Sequence, residues 1–187
     1  MSSAGTSLPP AALGRLVRLS RVMEIVTGIG IGLVAILTVV ALLIPDWTRN
    51  IALAKLGQAG AVLPITPLGR AVAGIVLAIP VGVMIYGLLA ARRMFAEFVR
   101  GNVFTERAAH HLQIFAATVV AQAPLGPLTA AGFSAALSLG YPPDQRGFTI
   151  AFSINDYFAL IVGGVLLAAA TVMREAAHLA DENKGFV

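Results

Sequence analysis

Few residues in this sequence have types and spacings that suggest chemistry. His110, His111 and His178 are the only histidines. Neighbouring helical positions point about 100° apart, so the His110–His111 pair does not chelate one ion easily. No carboxylate or thiolate stands at ligand spacing to complete a metal site. The histidines are expected instead to tune headgroup contact with pH. Glu24 sits at the edge of an apolar run, where an acid is either functional or partnered. Arg21, one turn earlier, is the partner expected for it. Asp156 has the type and place of a helix N-cap. Gln122 lies in an apolar run close to Pro124 and Pro127. It could line a polar cavity, but its expected role is to satisfy a carbonyl that one of those prolines frees. The chain has no cysteine, which removes disulfides and thiol chemistry. It also lacks a phosphate-binding loop, a hydrolase elbow and an H-E-x-x-H pair. No catalytic residue, metal or cofactor is therefore assigned, and an enzyme is not expected.

The elements that must position these groups are spans of a membrane. Of the 187 residues, 58% are apolar and 12% charged, about half the charged share of ordinary soluble domains. Ile25 to Ile44 is an uncharged run long enough to cross a bilayer core of about 30 Å. It is too long for a signal-peptide core, and Pro45-Asp46-Trp47 follows it in place of a small-residue cleavage site. Further runs at 71–91, 112–139 and 157–173 complete a count of four. Pro80 is expected to kink the second, and Pro124 with Pro127 to bend the third. The expected class is an all-α membrane protein: a four-helix transmembrane bundle with a small extracytoplasmic β element. That element rests on the β-branched and aromatic segment 148–154, FTIAFSI, paired with part of the apolar loop 48–69. Residues 1–12 are expected to be mobile and 13–187 to form one domain, with a junction at 92–111 and a tail at 174–187.

Charge sets the orientation. With the N-terminus inside, nine basic residues are cytoplasmic: Arg15, Arg18, Arg21, Arg92, Arg93, Arg100, Arg107, Arg174 and Lys184. Arg49, Lys55, Arg70 and Arg146 are then the four outside. The asymmetry places both termini in the cytoplasm under the positive-inside rule. The net charge of +4 therefore serves the lipid surface and calls for no direct nucleic-acid partner. Small residues at four-residue spacing, Gly28 with Gly32 and Gly74 with Ala78 and Gly82, suit close helix packing within the chain or between copies in a homo-oligomer.

Two segments carry a resemblance. GNVFTERAAHHL precedes the third span, and LADENKGFV closes the chain. The first resembles the G-x-x-F-T-x-x-N-x-x-x-L segment of bacterial four-span membrane proteins in the domain-of-unknown-function family 2975. The second resembles that family's L-x-x-E-N-x-x-T-V ending. Gly101, Phe104, Thr105 and Leu112 match the first pattern; Leu179, Glu182, Asn183 and Val187 match the second. Ala108 stands where the family often has Asn, and Gly185-Phe186 replaces its Leu-Thr. The resemblance implies a plasma (inner) membrane protein without an established role, whose relatives often pair with a small cytosolic helix-turn-helix regulator. Phe104, Thr105, Leu112, Leu179, Glu182 and Asn183 become the candidate docking residues for such a partner, and Glu24 and Gln122 the candidate intramembrane polar groups. The expected function is a regulatory or sensory membrane subunit. A small transporter or channel component is the alternative, and a purely structural membrane protein a third reading.

Overall fold

The computed structural model describes residues 10–103 and 105–184, with side chains described from Gly14 to Leu179 apart from Leu42 and Phe104. Six α-helices follow in order: α1 Pro10–Leu43, α2 Pro45–Leu56, α3 Gln58–Ala61, α4 Pro67–Val99, α5 Glu106–Ser138 and α6 Ile154–Lys184. Of the segment expected to be mobile, residues 1–9 lie outside the described residues, and Pro10 to Ala12 already belong to α1. Four helices are long and apolar enough to cross a membrane: α1, α4, α5 and α6. The protein is a multi-pass membrane protein. At 33 residues, α4 and α5 are each about 50 Å long, so they extend well beyond a core of about 30 Å.

The spans form a row in which each packs on the next in sequence. α1 lies against α4, α4 against α5 and α5 against α6, while α1 and α6 are not packed together. Neighbours run antiparallel. Gly28 of α1 faces Arg92 of α4, while Leu37 and Ala41 line one cavity with Leu77 and Val81. A Cβ on Gly132 of α5 would stand 3.0 Å from Val76 Cγ1 of α4, and one on Gly87 would run into Thr118. Between α5 and α6, Gly163 meets backbone, with Val120 Cγ2 2.6 Å and the Val120 backbone nitrogen 2.8 Å from a Cβ built there. Small residues permit such approaches between helices that no hydrophobic effect drives together in lipid. Of the small residues at four-residue spacing, Gly28 lies beside the Arg92 side chain, and Gly74 is buried. Gly32, Ala78 and Gly82 are instead exposed, with nothing within 4 Å of a Cβ on Gly32 or Gly82. The open row gives Gly32 and Gly82 no close neighbour among the described residues.

The largest buried cluster sits at one end of the row. Ala52 and Leu56 of α2 pack there with Ala73, Leu77, Ala130, Phe133, Ala136 and Leu137 of α4 and α5. Sequence expectation failed here in one respect: no strand occurs among the described residues, so the β element is absent. The segment expected to pair, 48–69, is mostly helical. Pro45 occupies a first helical turn, where its missing N–H costs nothing, and Asp46 favours the same turn's dipole. Thr48, Ala52 and Leu56 then recur every four residues as a buried face. Residues 148–153 are irregular. Their backbone finds a side chain instead of a strand: Thr149 N–H donates to Ser134 Oγ at 2.7 Å. Phe148, Ile150, Phe152 and Ile154 are all exposed, so their alternation covers no sheet core.

Asp156 also differs from expectation. Ser153 precedes the first residue of α6, and Asp156 reaches back to accept its N–H at 2.8 Å. Ser153 Oγ accepts from Asn155 N–H at 3.2 Å. Asp156 is therefore the third-position member of a capping box whose N-cap is Ser153.

Candidate functional site

The end of the row opposite α2 gathers most of the arginines. The antiparallel order brings together the start of α1 (Arg15, Arg18, Arg21), the end of α4 (Arg92, Arg93, Arg100), the start of α5 (Arg107) and the last part of α6 (Arg174). Between α4 and α5 the chain turns in a few residues. Gly101 takes φ +84°, a conformation that costs glycine little. Val99 ends α4, and Arg100 N–H bonds back to the Ala96 and Glu97 carbonyls.

Glu97 organises this turn. Its Oε1 accepts from Arg100 Nη1 at 2.8 Å, and its Oε2 from Asn102 Nδ2 at 3.0 Å. Asn102 N–H also donates to the Glu97 carbonyl at 3.0 Å. Both carboxylate oxygens are thus engaged, one with each side of the turn. The Glu97 side chain is 13% exposed against 67% for Arg100, so the carboxylate is sheltered while the guanidinium head faces outward. Thr105 begins α5 as its N-cap, its side chain accepting from Ala108 N–H at 3.3 Å, with Glu106 in the first turn. Phe95 and Phe98 meet edge to face at 6.3 Å between centroids.

The close approaches at Gly126–Asp156 and Gly163–Val120 set the α5–α6 register. Carried along both helices, it puts the 170s of α6 beside the opening turns of α5. Ala108, Ala109 and Ala177 are buried there, small residues that let the helix ends approach. Leu112 is half-buried one turn inside, and Leu179 is 51% exposed on α6. Thr105 and Leu179 thus belong to the same end of the molecule. Phe104 lies outside the described residues. Glu182 and Asn183 fall on the last helical residues of α6, with side chains outside the described residues.

The two polar groups singled out within the spans have different surroundings from those expected. Gln122 Nε2 donates to the Pro80 carbonyl of α4 at 2.9 Å. Its partner is the neighbouring helix at its own proline, not a carbonyl of α5. Glu24 makes no ion pair with Arg21; the one among the described residues joins Arg100 and Glu97. One turn beyond Glu24, the basic group facing α1 is Arg92, whose guanidinium lies 3.9 Å from a Cβ on Gly28. No group of three or more His, Asp or Glu residues suited to a metal occurs among the described residues.

A family model described as protein of unknown function, DUF2975, matches residues 62–185, more than half of the chain. The chain belongs to this family. The match covers α4, α5 and α6 of this DUF2975 protein together with the turn that Glu97 organises, and it stops short of α1 and α2. No curated protein and no solved structure matches the chain. Sequence reading missed Glu97 and Asn102 as the organisers of the turn. The signal was present in Glu97-x-x-Arg100, the three-residue spacing of a helical ion pair.

Proposed function

We propose that this DUF2975 protein is a regulatory or sensory subunit of the plasma (inner) membrane that holds a cytosolic protein at its arginine-rich end. The observation that carries the reading is the pairing of a turn ordered by Glu97 with a helical tail that presents Leu179. Two helices about 50 Å long lift that turn clear of the bilayer core, where a soluble protein reaches it. The nine-to-four distribution of basic residues supports placing this end, with both termini, in the cytoplasm. The family resemblance favours a small helix-turn-helix regulator as the partner. Such a partner would bring the nucleic-acid contact, leaving none for this chain.

Substitution Leu179→Asp tests the reading. The side chain is half exposed, so the change leaves melting of the purified protein within about 0.5 kcal/mol of wild type. Recovery of the partner with the tagged protein from gently solubilised membranes should be lost. Retained recovery, or melting that falls along with it, contradicts docking through Leu179.

A further inference from the structure

At the end of the row away from the arginine cluster, α1, α2 and α4 border an open slot of about 330 Å³. Leu37 and Ala41 form one wall, Leu77 a second, and Trp47 and Ile51 the cover supplied by α2. Thr38 also lines it, but its hydroxyl is already committed to the Val34 carbonyl at 2.7 Å. The slot therefore presents hydrocarbon along its length. Its one charged lining group is Lys55, in the last turn of α2. Pockets of about 300–1,000 Å³ with apolar walls and a single placed polar group are typical of small-molecule sites.

Lys55 also lines a second, more polar cavity of about 220 Å³ with Ser153, Asn155 and Asp156. Asp156 is the acid nearest to hand, yet its carboxylate is occupied in capping Ser153 and abuts Gly126. Among the described residues no carboxylate lies within ion-pair distance of Lys55. An exposed cation thus stands at the rim of a hydrocarbon slot, in the last turn of α2 and without an acidic side chain paired to it among the described residues.

We propose that this slot binds a free long-chain fatty acid, the carboxylate on Lys55 and the alkyl chain between α1 and α4 under α2. Charge complementarity selects the anionic head, and the walls select an unbranched chain. The site stands at the opposite end of the molecule from the docking turn and does not depend on it. It also gives α2, which lies outside the family match, a role beyond covering the core.

The test uses the full chain in nanodiscs of phosphatidylcholine with a palmitic acid analogue bearing a photoactivatable diazirine. Adducts should concentrate on peptides containing Leu37–Ala41 and Leu77. Palmitate should compete at least about tenfold better than hexadecanol, which has the chain without the charge, as a charge-assisted hydrogen bond implies. Lys55→Gln should lower labelling by a similar factor, and Lys55→Arg should restore it. Labelling that is unchanged in Lys55→Gln, or spread equally over the outer face of α6 at Val165 and Val172, overturns the proposal. So does competition by phosphatidylglycerol as effective as that by palmitate, which would make the occupant a phospholipid.

Discussion

Two adjacent glycines offer a test of the helix row in which most of the uncertainty cancels. Gly163 and Gly164 share α6, the same depth and the same helical backbone, but only Gly163 faces α5. A methyl group at Gly163 would lie 2.6 Å from Val120 Cγ2, 2.8 Å from the Val120 backbone nitrogen and 3.2 Å from Val119 Cγ1. The backbone atom cannot rotate aside, so α5 and α6 would have to separate. At Gly164 nothing lies within 4 Å. Replacing either glycine by alanine gains about 0.8–1 kcal/mol of helix propensity, and that gain is common to both variants. Their difference therefore isolates the steric cost, about 1–3 kcal/mol for overpacking a close contact. For a chain of this size, that corresponds to a gap of about 2–12 °C in Tm. Gly163→Ala and Gly164→Ala should be melted side by side in one detergent, with Gly164→Ala the more stable. Equal melting, or the reverse order, would refute the α5–α6 packing described above.

Gln122→Leu should cost about 0.6 kcal/mol, the average measured for hydrogen bonds between membrane helices, because leucine refills the volume beside Pro80. A loss several-fold larger in detergent melting would show that the bond to Pro80 is not its main role. Reporter fusions within 142–147 and after residue 184 should report opposite sides of the membrane, the latter cytoplasmic. The same side for both would break the four-span path.

Much of this architecture could be read from apolar runs, and the failures share a physical cause. The four spans announced themselves as uncharged stretches of membrane length. Pro45-Asp46-Trp47 was legible as the end of the first span. The same three residues also open α2, because a proline that cannot continue one helix suits the first turn of the next. The alternation of Phe148, Ile150 and Phe152 suggested a strand since, in water, such a pattern needs a sheet core to cover it. Those side chains are instead exposed on an irregular segment, with no strand beside them among the described residues. Helix-packing residues were half legible. Spacing identifies small residues but not which face meets a neighbour, so Gly28 and Gly74 were found while Gly87, Gly132 and Gly163 were not. Gln122 shows the same limit: its chemistry was evident, but only the register of α4 against α5 reveals Pro80 as the acceptor.

The arginine-rich end is the surface proposed to hold a protein. A photo-crosslinking amino acid placed at Arg107, at that end, and in parallel at Arg146, on the opposite loop, tests this in intact cells. The account predicts a discrete protein adduct from position 107, abolished by Leu179→Asp, and no such adduct from position 146. Identical adduct patterns at the two positions, or only lipid adducts at 107, would contradict it.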